Sequence, residues 1–396
     1  MSDPTDGLAW LLDAASGARL EDLPDLAGAA MARFGARDVI TYVVDYRQTC
    51  LVALARRGAG PVDPLLLDAT VAGRAYTTLS AQEASSEDGF RLWLPIFNGS
   101  DRLGVIEVSF DDAPTDAQRA QAIGAARLLA ELLGSRRAHG DAVELARRLQ
   151  PMQLAGEMAW SILPPLTPVA DRVSVAGVLE PSYEVGGDSF DYALNGDHLH
   201  VALFDAVGHG IGASSLSGLT MSAYRNARRC GLDLLDTARS LDEAIRAQAR
   251  PGDFVTAVLA ELDVTNGTYR RISSGHPGEL LVRDGKVIKS LTAPTGLPLG
   301  LSLVLDRVTT VDEESLQPGD AIVIYSDGLV DARTEAGEVF GLDRLADFVV
   351  KAFADALPAA ETMRRLARAV VEYVDDQLGD DATAVLIRWR SEATML

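Results

Sequence analysis

A chain of 396 residues with 47% hydrophobic side chains is too long for one ordinary domain and apolar enough to bury more than one core. Its formal net charge of −21, with no dense basic patch to offset it, argues against nucleic acid or an anionic membrane as partner, since either surface would repel it. The two cysteines, Cys50 and Cys230, have no CxxC or Cys/His spacing, so they signal neither a disulfide framework nor a zinc site and fit a reducing cytosol.

The N-terminus, Met1-Ser2-Asp3-Pro4, lacks a basic region followed by an apolar core, and no later apolar run reaches the ~20 residues needed to span a bilayer. The expectation is a cytoplasmic protein with no membrane partner. Residues 22–34 carry Leu23, Leu26, Ala27, Ala30, Met31 and Phe34 at helical spacing. The period then changes to that of strands over 39–46 and 51–54, a hairpin with a short polar turn. A second pair, 91–97 and 103–110, flanks the turn Asn98-Gly99-Ser100-Asp101. This strand, turn and "LGVIEVSF" strand resemble the end of a GAF domain, a fold that holds a small-molecule pocket over an antiparallel sheet; a plain hairpin has the same pattern. Trp93, Tyr76 and Cys50 suit core packing as well as pocket lining.

A helical pattern runs from Thr115 to about Leu163 through Ile123, Leu128, Leu132, Leu133, Val143, Leu149 and Met158. Pro151 and the glycines at 134, 140 and 156 predict a kink or a break. The apolar stripe suits either a homodimer formed through this linker or a helix lying on its own domain. From Val173 strands dominate: 173–179, 198–204, 254–262, 269–273, 279–282, 304–311, 321–324 and 384–389, separated by Gly/Asn/Asp turns. Helical periodicity returns over 211–229, 234–249, 342–353 and 360–378. Helices covering the faces of antiparallel sheets make an α+β domain.

Acidic motifs sit at the ends of these strands: Glu184 to Asp191 around Gly186-Gly187-Asp188, Asp205 to Gly210, Tyr325-Ser326-Asp327-Gly328, and Gly379-Asp380-Asp381. Several carboxylates brought together repel one another and need cations, and hard oxygen ligands select Mg²⁺ or Mn²⁺. Glycines beside the aspartates leave room for water and substrate oxygens. Taken singly, an Asp-Gly after a strand is more often a turn than a ligand.

In order, these motifs resemble the SpoIIE-like and RsbU-like branch of the PPM metal-dependent phosphatases. "ILPP" at 162–165 is similar to that branch's "LLPP", "EVGGDSFDY" to its "EVGGDWYD", "DAVGHG" to its "DVSGHG", and "SSGHPGELLV" to its "AGHPPPLL". "DFVTAVLAELD" resembles its Thr-bearing strand, "GDAIVIYSDGLVDARTEAGEVFGLDRL" follows the branch pattern throughout, and "GDDATAVLIRWR" its closing strand. The resemblance implies a GAF-like sensor over 1–112, a helical linker over 113–163 and a PPM-type αββα sandwich of two antiparallel sheets over 164–396. It implies that Asp188, Asp205, Asp327 and Asp380 are catalytic, with Asp188 and Asp205 serving one Mn²⁺ or Mg²⁺ ion, and Asp205, Asp327 and Asp380 the second. The Ala206 carbonyl is a further implied ligand, and Asp381 and Asp191 are neighbours able to substitute or support.

Val207 and Ala206 replace the usual Ser and Val of the second motif, while every implied ligand is present. His209 and His276 lie in Gly-rich turns and read as structural, although a His can protonate a leaving oxygen. Nothing before Glu184 supplies a phosphate-gripping Arg, so docking of a protein substrate is expected to supply affinity. The implied reaction is hydrolysis of phosphoserine or phosphothreonine on a STAS-type anti-sigma-factor antagonist, under control of a signal at the GAF-like domain. The alternatives are a non-catalytic regulator-binding module and a phosphatase of small phosphoesters.

Overall fold

The structure, a computed structural model, describes residues 6–390 apart from 87, 100, 168, 171, 185, 249, 251, 292–295 and 302–308. It divides into two compact units, 1–151 and 152–396.

In the first unit, helices α1 (Asp6–Ala15) and α2 (Leu23–Ala32) precede strands β1 (Asp38–Val44), β2 (Cys50–Ala53) and β3 (Leu65–Leu66). Helix α3 (Val71–Thr78), strands β4 (Gln82–Ser86), β5 (Gly89–Phe97) and β6 (Arg102–Phe110), and helices α4 (Asp116–Arg136) and α5 (Ala142–Arg147) follow. The strands form one antiparallel sheet in the order β3-β2-β1-β6-β5-β4. One face packs Val39, Val43, Ile106 and Val108 against α1, α2 and α4. The other buries Tyr42, Tyr76 and Trp93 in a smaller cluster, and Cys50 is buried as well.

The helical pattern over 115–163 is three α-helices. Thr115 starts α4 with a capping box: its hydroxyl accepts from Gln118 N and the Gln118 side chain accepts from Thr115 N. The chain breaks around Gly140 and again between Arg148 and Gln153, where Pro151 stands. Helices α4 and α5 belong to the core of the first unit, whereas α6 (Leu154–Ile162) opens the second.

The second unit continues with β7 (Val169–Ala170), β8 (Val173–Glu180), β9 (Asp188–Asn195), β10 (His198–Ala206), α7 (Gly210–Arg229) and α8 (Leu234–Gln248). Next come β11 (Val255–Asp263), β12 (Thr268–Ser274), β13 (Glu279–Arg283), β14 (Lys286–Leu291), β15 (Asp312–Ser315) and β16 (Ala321–Tyr325). Helices α9 (Asp327–Val330), α10 (Gly341–Ala354) and α11 (Ala359–Tyr373) lead to β17 (Ala382–Trp389). The expected strand over 304–311 lies mostly outside the described residues.

Among the described residues, β15-β12-β11-β10-β9 make one antiparallel sheet and β14-β13-β16-β17-β8-β7 the other. Period-2 alternation sends Val201, Leu203 and Val258 from the first sheet, and Ile322, Ile324, Val385 and Ile387 from the second, into a shared core. The opposite faces pack on helices: Ala202 and Phe204 with α7 and α8, Val323 and Leu386 with α10 and α11. Between the sheets, Arg271 pairs with the fully buried Glu279, which also accepts from the Tyr269 hydroxyl. Removing one partner of such a pair would strand a buried charge.

Strand β9 is an element that periodicity alone does not mark. Its sequence, DSFDYALN, is too polar, and it buries those groups only because α7 supplies partners: Arg225 and Arg228 donate to Asp191 at 2.7 and 2.9 Å, and Ser217 pairs with Ser189 at 2.6 Å.

Candidate metal and phosphate site

The β9–β10 ladder ends on the pair Asp188 and Asp205. Alternation places both on the face that carries Phe190 and Leu203, which points between the sheets. On the second sheet, β16 runs out at Tyr325 and Asp327 opens α9, while Asp380 and Asp381 immediately precede β17. The two strand ends are tied together: Ser326 N donates to Thr383 O, Thr383 N donates to the Ser326 hydroxyl, and that hydroxyl donates to Asp381 O. Gly328 permits the approach, because a Cβ there would lie 2.1 Å from Asp381 O.

Asp381 joins the two sheets. Its Oδ2 accepts from three successive backbone N–H groups, Gly186 at 2.8 Å, Gly187 at 2.6 Å and Asp188 at 3.0 Å. Charge-assisted bonds of this kind hold the loop that delivers Asp188. A Cβ at Gly187 would lie 2.5 Å from the carbonyl oxygen of Ala206, so only glycine lets that carbonyl reach the cluster. Asp191, by contrast, faces α7 and is neutralised by Arg225 and Arg228, away from the other carboxylates.

The electrostatics show the crowding. Burial, then Asp205 and Asp381, push the Asp188 carboxyl well above the ordinary range. Burial, then Asp327 and Asp380, push Asp205 up to about 6. Asp327 is raised by burial and by Asp380, and Asp381 by burial against the pull of its three N–H donors. Asp188 is 2% exposed, and its Oδ2 has no hydrogen-bond partner; the Thr383 hydroxyl nearby is likewise unpaired. The Thr383 and then the Ser326 hydroxyl pull Asp188 back towards its ionised form without offsetting its burial.

A buried, partnerless carboxylate oxygen among four other carboxylates fits a cation. Among the described residues no three side chains close around one point as a ready-made cage. Such an open arrangement suits Mg²⁺-like ions, which keep most of their waters and need only one or two direct carboxylates each.

A cleft of about 240 Å³ beside the cluster is lined by Asp327, Asp331, Arg333 and Asp380. Arg333 was not singled out from the sequence, and its position inside "DARTEAG" is the signal that could have found it. A second groove, of about 580 Å³, runs past Val207, His209, Ile211, Leu219 and Arg250. His209 sits on it at the N-cap of α7.

His276 differs from its expected role as a turn residue. It is buried, its Nε2 lies 2.9 Å from the Tyr325 carbonyl oxygen, and its Nδ1 lies 3.0 Å from the Thr256 hydroxyl. The ring therefore spans the two sheets. Burial pushes the imidazole from 6.5 down to about 4, so the unfolded chain takes up a proton at a higher pH than the folded one. Stability from this group is complete above pH 6.5 and is lost as pH falls towards 4, at about 1.36 kcal/mol per unit. Urea unfolding at pH 7 and pH 4.5 is expected to show a drop smaller by about 2 kcal/mol in His276→Gln than in the parent. Equal drops would mean that the ring is not held neutral.

Comparison with known proteins adds an independent line. The family model of Stage II sporulation protein E (SpoIIE) matches residues 195–390. The chain is 23% identical over 238 residues to phosphoserine phosphatase RsbU of Bacillus subtilis (strain 168), covering 60% of this chain and 69% of that protein. It is 23% identical over 262 residues to protein IcfG of Synechocystis sp., covering 58% of this chain but only 40% of that one. The solved structure of the RsbU and RsbW domains of a Mycobacterium tuberculosis protein superposes with a TM-score of 0.50 at 26% identity, over 57% of this chain and 64% of that chain.

Proposed function

The C-terminal part of this chain belongs to the SpoIIE/RsbU-like branch of the PPM protein serine/threonine phosphatases, and from that membership we propose that its aspartate cluster hydrolyses phosphoserine or phosphothreonine on a regulatory protein with divalent cations. The observation that carries the reading is the orphaned Oδ2 of buried Asp188, facing Asp205 across the last rung of a β-ladder. Asp188 and Asp205 would hold one Mn²⁺ or Mg²⁺ ion, Asp205, Asp327 and Asp380 the other, with the Ala206 carbonyl contributing and Asp381 fixing the loop. When bound, such ions supply a water of lowered pKa and neutralise phosphoryl charge. Arg333, which lines the cleft beside Asp327 and Asp380, would meet phosphoryl oxygens there. The groove past Val207, Ile211 and Arg250 takes the polypeptide flanking the phosphorylated residue, with exposed apolar side chains and a cation on its wall.

The substrate proposed is a STAS-type anti-sigma-factor antagonist, in keeping with the phosphoserine phosphatase activity named for RsbU. The antiparallel sheet of the first unit, flanked by helices on both faces, is in keeping with a GAF-like sensor; control of the catalytic unit by that sensor, a homodimer and a cytoplasmic location are proposed from the sequence alone. No described helix is long and apolar enough to cross a membrane.

The test is Mn²⁺-dependent phosphate release from a phosphoserine STAS protein and from p-nitrophenyl phosphate. Turnover of the small ester alone would favour a small-phosphoester hydrolase, and inactivity on both with every metal would favour a regulator-binding module. Equal rates for the full chain and for fragment 152–396 would remove sensor control.

A further inference from the structure

The Thr256 hydroxyl stands between two acceptors. Its oxygen is 3.0 Å from Nδ1 of His276 and 3.3 Å from Oδ2 of Asp205. Beyond the ring, Nε2 lies 2.9 Å from the Tyr325 carbonyl oxygen, and a carbonyl only accepts, so Nε2 carries the ring proton. The ring is 2% exposed, too buried for an imidazolium with no carboxylate bonded to it. Nδ1 is therefore bare and must accept.

A hydroxyl has one proton to give. Asp205 is charged and would compete for it, but Asp205 is only partly buried and can take hydrogen bonds from water. The buried Nδ1 has Thr256 as its hydrogen-bond partner, and stranding it would cost about 1–3 kcal/mol. The shorter distance agrees with donation to the ring. The Asp205 oxygen beside Thr256 consequently faces a hydroxyl oxygen with no proton directed at it.

We propose that His276 is a positioning residue which, by holding the Thr256 proton, leaves this oxygen of Asp205 with exchangeable water instead of a fixed donor, and so open to a divalent cation. The proposal rests on the metal-dependent phosphatase reading above. A carboxylate already satisfied by a donor gains less from a cation than one that is not, and Asp188, whose Oδ2 is also without a donor, is the ladder partner of Asp205. His276 thus acts on Asp205 through Thr256, while its other nitrogen fixes the chain two residues before Asp327.

The experiment is calorimetric titration of Mn²⁺ into the full chain. In His276→Phe the acceptor is gone, the hydroxyl turns to Asp205, and Mn²⁺ affinity is expected to fall about tenfold. Adding Thr256→Val removes the donor, and the double variant is expected to recover to within about threefold of the parent. A merely structural role for His276 gives the reverse, a double variant no better than the single one. Thr256→Asn carries two amide protons, serves both acceptors, and is expected to weaken Mn²⁺ binding while the ring keeps its partner. It replaces His276→Phe as the informative variant if circular dichroism shows that the latter does not fold. The idea is overturned if the double variant binds no tighter than His276→Phe, or if Thr256→Asn binds as the parent does. A parent chain that binds no Mn²⁺ at all would instead sink the phosphatase reading, and this proposal with it.

Discussion

In the Asp205→Asn variant, Mn²⁺-dependent phosphate release from a phosphoserine protein is expected to fall by at least about 10³-fold while the metal-free chain becomes more stable. Asp205 is the centre of the cluster: it faces Asp188 across the ladder and is raised by Asp327, Asp380 and Asp381. A group whose folded pKa is raised contributes stability below its unfolded pKa and loses it as pH rises through the folded value, here about 6. At pH 7 the ionised Asp205 therefore costs the metal-free fold free energy, and its neutral isostere relieves about 1–2 kcal/mol after allowance for its partial exposure. Activity assays paired with urea unfolding in a chelator read the two effects. Opposite signs separate loss of a ligand from loss of the fold. A variant that keeps a tenth of the parent's activity would remove Asp205 from the centre of the mechanism.

The second large effect is expected at Asp381, with both signs the same. Asp381→Ala deletes the acceptor of three backbone N–H groups in the loop that carries Asp188. With those donors stranded, stability is expected to drop by about 3 kcal/mol. Displacement of Asp188 by even about 1 Å is expected to cost about 10²-fold in activity. Asp381→Asn keeps an amide oxygen for the three donors and should retain more of both. If Asp381→Asn instead loses as much activity as Asp205→Asn with its stability intact, Asp381 is itself a ligand rather than the clamp on its neighbour.

These two variants also mark where sequence reading works and where it stops. Asp188, Asp205, Asp327 and Asp380 are legible because each sits in a short acidic motif that contains a glycine, and the motifs occur in one order. Strands β8, β10, β11, β12, β13, β16 and β17 were legible for the same reason: alternation is a property of neighbours in sequence. Strand β9 does not show as a strand in the sequence, since Ser189 and Asp191 are buried only through Ser217, Arg225 and Arg228 on α7. The helix pattern over 115–163 was visible as helix, with breaks expected at its glycines and proline. That α4 and α5 belong to the core of the first unit depends on Ala122, Ala126 and Leu129 of α4 and Val143 of α5 joining its apolar cluster, which local periodicity does not specify.

The sequence by itself determined the strand and helix types, the acidic motifs and the resemblance they carry, because those follow from local spacing and residue chemistry. Only the tertiary structure decided which carboxylates crowd one another, which one is a clamp, and which one is neutralised by arginines. Asp381 bonds to Gly186 across 195 residues of chain, and His276 meets the carbonyl of Tyr325 from another strand. A hydrogen bond or a raised pKa is a property of distance in space, and the two sheets must pack before Asp188, Asp205 and Asp327 share a field.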